Sequence, residues 1–115
     1  MIENLHTQLV SVLNDAGIHP ALSEDEIDSY PYVTFELPTE VRYTKDGPYK
    51  IVGNLTIRSV SDDFDEADSL RSGIEAAISE GFVGPTYTAR ATDVRKDCMD
   101  GVWVIEIDYI LNQHN

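Results

Sequence analysis

Cysteine is almost absent from this chain, and positive charge is scarce. Cys98 stands alone, so no disulfide can form within the chain, and a reducing compartment is compatible with it. Eight Lys and Arg face 21 Asp and Glu, a formal net charge of −13. That balance argues against direct phosphate binding, and with it against reading a nucleic-acid sequence, because both draw on clustered Lys and Arg. No segment approaches the roughly 18 uninterrupted apolar residues of a membrane span. The opening residues, MIENLHTQLV, lack the basic region and apolar run of a secretory signal, so a cytoplasmic origin is expected. The sequon Asn54-Leu55-Thr56 then counts as a chance match. Gly81, Gly84 and Gly101 are isolated, so there is no Gly-rich phosphate loop, and no G-x-S-x-G elbow occurs.

What is present suits one globular domain spanning residues 1–115. Apolar residues make up 42% and charged residues 25% of the 115 positions. A chain of this length buries roughly two thirds of its unfolded surface, enough for a core without disulfides or a structural metal. No internal repeat, low-complexity run or long polar linker divides it. The acidic excess has two readings: solubility through self-repulsion, or a surface that must not stick to DNA.

Periodicity sets the elements. Ile2, Leu5, Leu9, Val12, Leu13 and Ala16 mark one face of a helix, with Gly17 at a left-handed cap and Pro20 beyond it. An acidic loop, Ala21 to Ser29, leads to a strand over Tyr32–Leu37, in which Val33, Phe35 and Leu37 share a face. Pro38 ends regular pairing or marks a bulge or edge, and Val41 to Tyr43 extends the strand. Lys45-Asp46-Gly47-Pro48 turns the chain into a second strand, Tyr49–Val60. There Ile51, Leu55 and Ile57 lie on one face, while Val52, Asn54, Thr56, Arg58 and Val60 line the more polar one. Asp63 and Glu66 fit a capping box for a second helix with the stripe Ala67, Leu70, Ile74, Ala77 and Ile78, terminated at Gly81. Two strands follow, Tyr87–Lys96 and Val102–Leu111, joined by a turn over Asp97–Gly101. The predicted fold is α+β in the order αββαββ, a four-stranded mainly antiparallel sheet with two helices packed on one face.

No constellation of catalytic or ligand-binding residues emerges. His6, His19 and His114 lack a second ligand at zinc spacing. Cys98 sits beside Asp97 and near Asp100, and neighbouring negative charge raises a thiol's pKa, the wrong direction for a nucleophile. The run Asp62, Asp63, Asp65, Glu66, Asp68 fails the EF-hand template, since the glycine position holds Asp68, and helix capping accounts for it. Glu106 and Asp108 share a strand face, but alternation against the Trp103 stripe makes that face the polar, outward one. The expectation is a protein without catalytic residues, metal or cofactor.

One cluster stands apart. Arg42, Tyr43, Lys45, Tyr49 and Lys50 gather positive charge and aromatic rings around the first hairpin of an acidic chain. They are either ordinary solvated hairpin residues or a subunit contact, for which Tyr and Arg are the enriched types.

The pattern as a whole resembles the small tail-completion proteins of tailed phages and prophages, the group that includes tail terminators. The matching features are the N-terminal helix ending near Gly17, the loop into Pro31-Tyr32-Val33, and the strand Ile51–Val60 passing through Ser61 into a helix with Ala67, Leu70 and Ile74. The strand Gly101–Leu111 after an acidic turn completes the match. The resemblance implies a virion protein made in the bacterial cytoplasm that forms a ring, commonly a hexamer, on the head-proximal end of the tail tube. Its partners would be itself, the tail-tube protein and head or neck connector proteins, with no membrane and no sequence-specific nucleic acid. A head-closure adaptor or tube subunit of the same fold, and a cellular non-catalytic binding module, are the alternatives. The acidity of the Ala21–Ser29 loop departs from the family pattern.

Overall fold

The computed structural model describes residues 5–21, 29–43, 49–84 and 86–114. The elements are α1 (Leu5–Asp15), β1 (Tyr32–Glu36), β2 (Thr39–Tyr43), β3 (Tyr49–Ser61), α2 (Phe64–Gly81), β4 (Tyr87–Met99) and β5 (Val102–His114). The fold is α+β as expected, with an antiparallel sheet, but the sheet has five strands instead of four and the order is αβββαββ.

The extra strand comes from Pro38. β1 and β2 both pair with the same edge of β3, Phe35 opposite Ile57 and Thr39 opposite Gly53, so the two ladders keep one register across the gap. Pro38 has no N–H to give, which breaks the ladder between them. Its carbonyl still accepts from the Asn54 N–H at 3.0 Å. The sheet order is therefore β1 and β2 end to end, then β3, β5 and β4. The turn at 45–48 lies outside the described residues, as does most of the acidic loop.

Both helices pack on one face. Leu5, Leu9 and Leu13 of α1 and Ile74, Ala77 and Ile78 of α2 are buried in one cluster with Leu55, Ile57, Ile107 and Leu111, and Ala67 is buried as well, its carbonyl accepting from Ser59 Oγ at 2.9 Å. Leu70, placed in the same stripe, is only half-buried. Gly17 adopts φ 79° and ends α1 as expected, and the Ile18 N–H reaches back to the Leu13 carbonyl at 2.8 Å. Helix α2 ends at Gly81 as expected, without a left-handed turn there. Phe82 is the cap residue, and Gly81 instead lets α1 approach, since a Cβ there would collide with Val12.

Two further expectations change. The hairpin turn spans only Asp100 and Gly101, with φ 54° and 80°, the mirror-image turn that Asp-Gly favours. Asp97, Cys98 and Met99 thus belong to β4, which runs farther than predicted. In β3, Val52 and Val60 are buried although they sit on the face away from the helices. Among the described residues no helix is long and apolar enough to cross a membrane.

Candidate functional site

The aromatic and basic cluster lies on an arm formed by β2 and the start of β3. Arg42 stands opposite Lys50 and Tyr43 opposite Tyr49, so strand alternation puts the basic pair on one face and the rings on the other. The two rings lie 6.1 Å apart in a tilted arrangement. Tyr43 is 77% exposed and Val41 48% exposed, so the ring face of the arm presents apolar surface at the sheet edge. Arg42 is held by Glu40, with both side chains more than half exposed. Lys45 lies outside the described residues. The structure therefore brings together Arg42, Tyr43, Tyr49 and Lys50, but splits them by face.

The sheet face away from the helices carries a network that the alternation argument read only as polar. Arg58 Nε donates to Glu106 Oε2 at 2.6 Å, and its guanidinium lies 3.6 Å from Glu36. Arg95 reaches Glu106 from the other side and Asp108 at 2.9 Å. Thr56 Oγ1 donates to the remaining Asp108 oxygen at 2.9 Å. Glu106 and Asp108 are thus committed to cross-strand ion pairs linking β1, β3, β5 and β4. An acid–base pair needs a group free to exchange a proton with substrate, and neither carboxylate has that setting.

The acidic run before α2 does cap the helix, with a different wiring from the reciprocal box. Asp63 Oδ1 accepts from the Asp65 N–H at 3.0 Å. The Asp63 N–H goes to Ser61 Oγ at 3.1 Å, and Ser61 Oγ lies 3.3 Å from Glu66 Oε1, to which it donates. Ser61 therefore stands where the carboxylate of Glu66 was expected. One turn on, the hydrogen bond from Arg71 holds the Asp68 carboxyl below its ordinary 3.8, with Lys96 assisting.

The remaining candidates stay apart. His6 sits on α1 with its ring 5.3 Å from Phe35, His19 Nδ1 is 2.9 Å from Asn14 Oδ1, and His114 ends β5. Cys98 is exposed on β4. Among the described residues no group of three or more His, Cys, Asp and Glu could hold a metal ion.

A surface that sequence reasoning missed lies between α2 and β4. Phe82, Val83, Ala89, Ala91 and Tyr109 line a groove of about 490 Å³, with Glu75 along its helix side. Burial pushes the Tyr109 hydroxyl up to about 12, and the Glu75 carboxylate adds to the rise. The groove gathers residues from three separate elements, so no local spacing announces it.

No protein-family model matches the sequence, and no curated protein matches it. Solved structures do. A chain of "Virion of native gene transfer agent (GTA) particle" superposes with a TM-score of 0.50 at 16% identity, covering 96% of this chain and 91% of that one. At that identity the likeness is one of fold, and this chain shares its architecture with a chain of that virion.

Proposed function

We propose that this protein is a structural, non-catalytic component of a phage-like virion, acting as a tail terminator or completion protein. The observation that carries the reading is the shared architecture with a chain of a gene transfer agent virion, over nearly the full length of both chains. The strand–Ser61–helix block that underlies the family resemblance supports it: Ser61 joins β3 to the cap of α2 through two hydrogen bonds. In this role the chain forms a ring on the head-proximal end of the tail tube, contacts the tube and the head or neck connector, and resides in the finished particle. Its acidity suits a ring through which DNA passes without being held.

The test is electron microscopy of particles assembled without the protein. Tails of abnormal length that fail to join heads are expected. Normal-length tails lacking heads would move the assignment to a head-closure adaptor, and the absence of tubes to a tube subunit. Normal particles would overturn the assembly reading altogether.

A further inference from the structure

Ion pairing separates the charges satisfied within one copy from those left over, and the leftovers sort by sign to opposite ends of the sheet. Among the described residues, Arg42, Arg58, Arg71, Arg95 and Lys96 each have a carboxylate partner, whereas Lys50 and Arg90 have none. Both belong to the sheet face away from the helices, in the half that carries the arm. Lys50 lies between Arg42 and His114 in one cross-strand row, and Arg90 stands opposite Ile110, two rows farther in. Like charges directly opposite one another cost stability, and Glu40 answers only Arg42.

The unpaired carboxylates collect at the other end. Asp62, Asp63, Asp65, Glu66, Asp97 and Asp100 are exposed, and none has a cation within ion-pair distance among the described residues. Of the other described acids, only Asp15 and Glu80 stand without a cation. Ser61 pairs with Trp103 and Trp103 with Cys98, so the run before α2 and the β4–β5 turn flank the same end of the sheet. From Lys50 to Ser61 the strand covers roughly 35 Å, too far for side chains of one copy to bridge.

We infer that the acidic end of one copy, Asp62 to Glu66 with the β4–β5 turn, docks on the Lys50–Arg90 half of the sheet face of the next. The inference rests on the assembly reading and specifies its subunit contact. A second copy is the occupant because it brings the free carboxylates that the free cations lack, while two unpaired cations are few for a DNA phosphate backbone. Acidic ends repel one another, so contact between like ends is disfavoured and the pairing acquires a polarity. The contact is heterologous, one patch meeting a different patch, so repetition closes a ring or extends a filament.

Charge reversal at each end tests the pairing. One variant carries Lys50→Glu with Arg90→Glu, the other Asp62→Lys with Asp65→Lys, and far-UV circular dichroism with urea midpoints establishes that each folds. Sedimentation in low salt should show the native chain associating and either variant alone associating at least about tenfold more weakly. An equal mixture of the two should form a one-to-one dimer and stop there, because it holds one intact junction, the acidic end of the first variant on the basic half-face of the second. A variant that associates like the native chain, or a mixture that stays monomeric, would overturn the inference. So would a native chain that remains monomeric at high concentration. Binding of a DNA duplex that is lost with Lys50→Glu and Arg90→Glu, while self-association is unchanged, would assign the half-face to phosphate instead. In each of those events the assembly reading stands with its contact elsewhere, and normal particles assembled without the protein would remove that reading itself.

Discussion

Gly81 and Val12 bring α2 and α1 into contact at a separation that leaves no room for a side chain on the glycine. A Cβ at position 81 would run into both methyl groups of Val12. In a helix, Gly→Ala ordinarily gains about 0.5 to 1 kcal/mol from backbone entropy. Overpacking costs about 1 to 3 kcal/mol, and here it should win. Gly81→Ala is therefore expected to lower the urea midpoint, with a net loss of about 1 to 2 kcal/mol. Adding Val12→Ala should recover most of that loss, since it removes the colliding methyls. A more stable Gly81→Ala single variant would show that the helices separate at little cost.

Much of this arrangement is legible in the residue pattern. The stripe Ala67, Ile74, Ala77 and Ile78 repeats at helical spacing and is buried, and the odd positions Ile105 to Leu111 alternate and are buried. What escaped has physical causes. Pro38 leaves side-chain parity unchanged on either side, so Val33, Phe35 and Val41 read as one strand although the ladder is cut. In β4, the irregularity between Ala91 and Asp93 shifts the register, so Ala89 and Ala91 share a face with Val94 instead of with Asp93. That slip breaks the strict alternation of β4, which was expected over Tyr87–Lys96 and in fact runs to Met99. For the candidate site, the arm was visible because its charges adjoin in sequence. The groove was not, because Glu75, Phe82, Ala89 and Tyr109 meet only after folding.

The cap of α2 distinguishes two wirings. With a reciprocal capping box, Glu66 would hold the Asp63 N–H and Ser61 would be dispensable. Ser61 Oγ instead takes that N–H and is itself fully buried. Ser61→Ala and Asp63→Ala should each cost about 1 kcal/mol, whereas Glu66→Ala should cost less than about 0.5 kcal/mol. Chemical denaturation of the three variants decides it. A large Glu66 effect beside a negligible Ser61 effect would restore the reciprocal box.

Tyr109 sets the behaviour at high pH. Its hydroxyl, raised by burial from 10.0 to about 12, keeps its proton in the folded protein while the unfolded chain releases one. The unfolded state then binds fewer protons, so stability falls as pH rises from the unfolded value toward the folded one and is fully present below it. Between pH 10.0 and about 12, Tyr109→Phe should lose stability less steeply than the native chain. Parallel slopes in urea titrations across that range would contradict this assignment.

Asp68 gives the complementary case on the acid side. The Arg71 hydrogen bond lowers its carboxyl below 3.8, so the pairing is present above the unfolded value and is lost as pH falls through the folded one. Arg71→Met should return the Asp68 titration, followed by carboxyl-carbon NMR, toward 3.8. Because Lys96 Nζ also stands 3.5 Å from Asp68, a residual lowering should persist and vanish only when Lys96→Met is added. An Asp68 titration indifferent to both substitutions would mean that neither cation acts on it in solution.

The ion pairs on the uncovered sheet face differ in worth although both end on Glu106. Arg58 is 31% exposed and lies between β1 and β5, touching Glu36 as well, whereas Arg95 on the edge strand is 56% exposed. An exposed pair spends side-chain entropy and is screened by salt, so it contributes about 0 to 0.5 kcal/mol. The Arg58–Glu106 pair sits mid-sheet with less water around it and should couple at about 1 kcal/mol in a double-mutant cycle with Arg58→Met and Glu106→Gln. The Arg95–Glu106 cycle should give less, and raising salt from about 0.1 M to about 1 M should erase it while leaving much of the Arg58 coupling. The order follows from position in the sheet: β3 is flanked on both sides, so Arg58 is confined by neighbours, while β4 has a free edge and lets Arg95 move. Equal couplings for the two arginines would mean that this face is uniformly solvated and that confinement by the sheet contributes nothing.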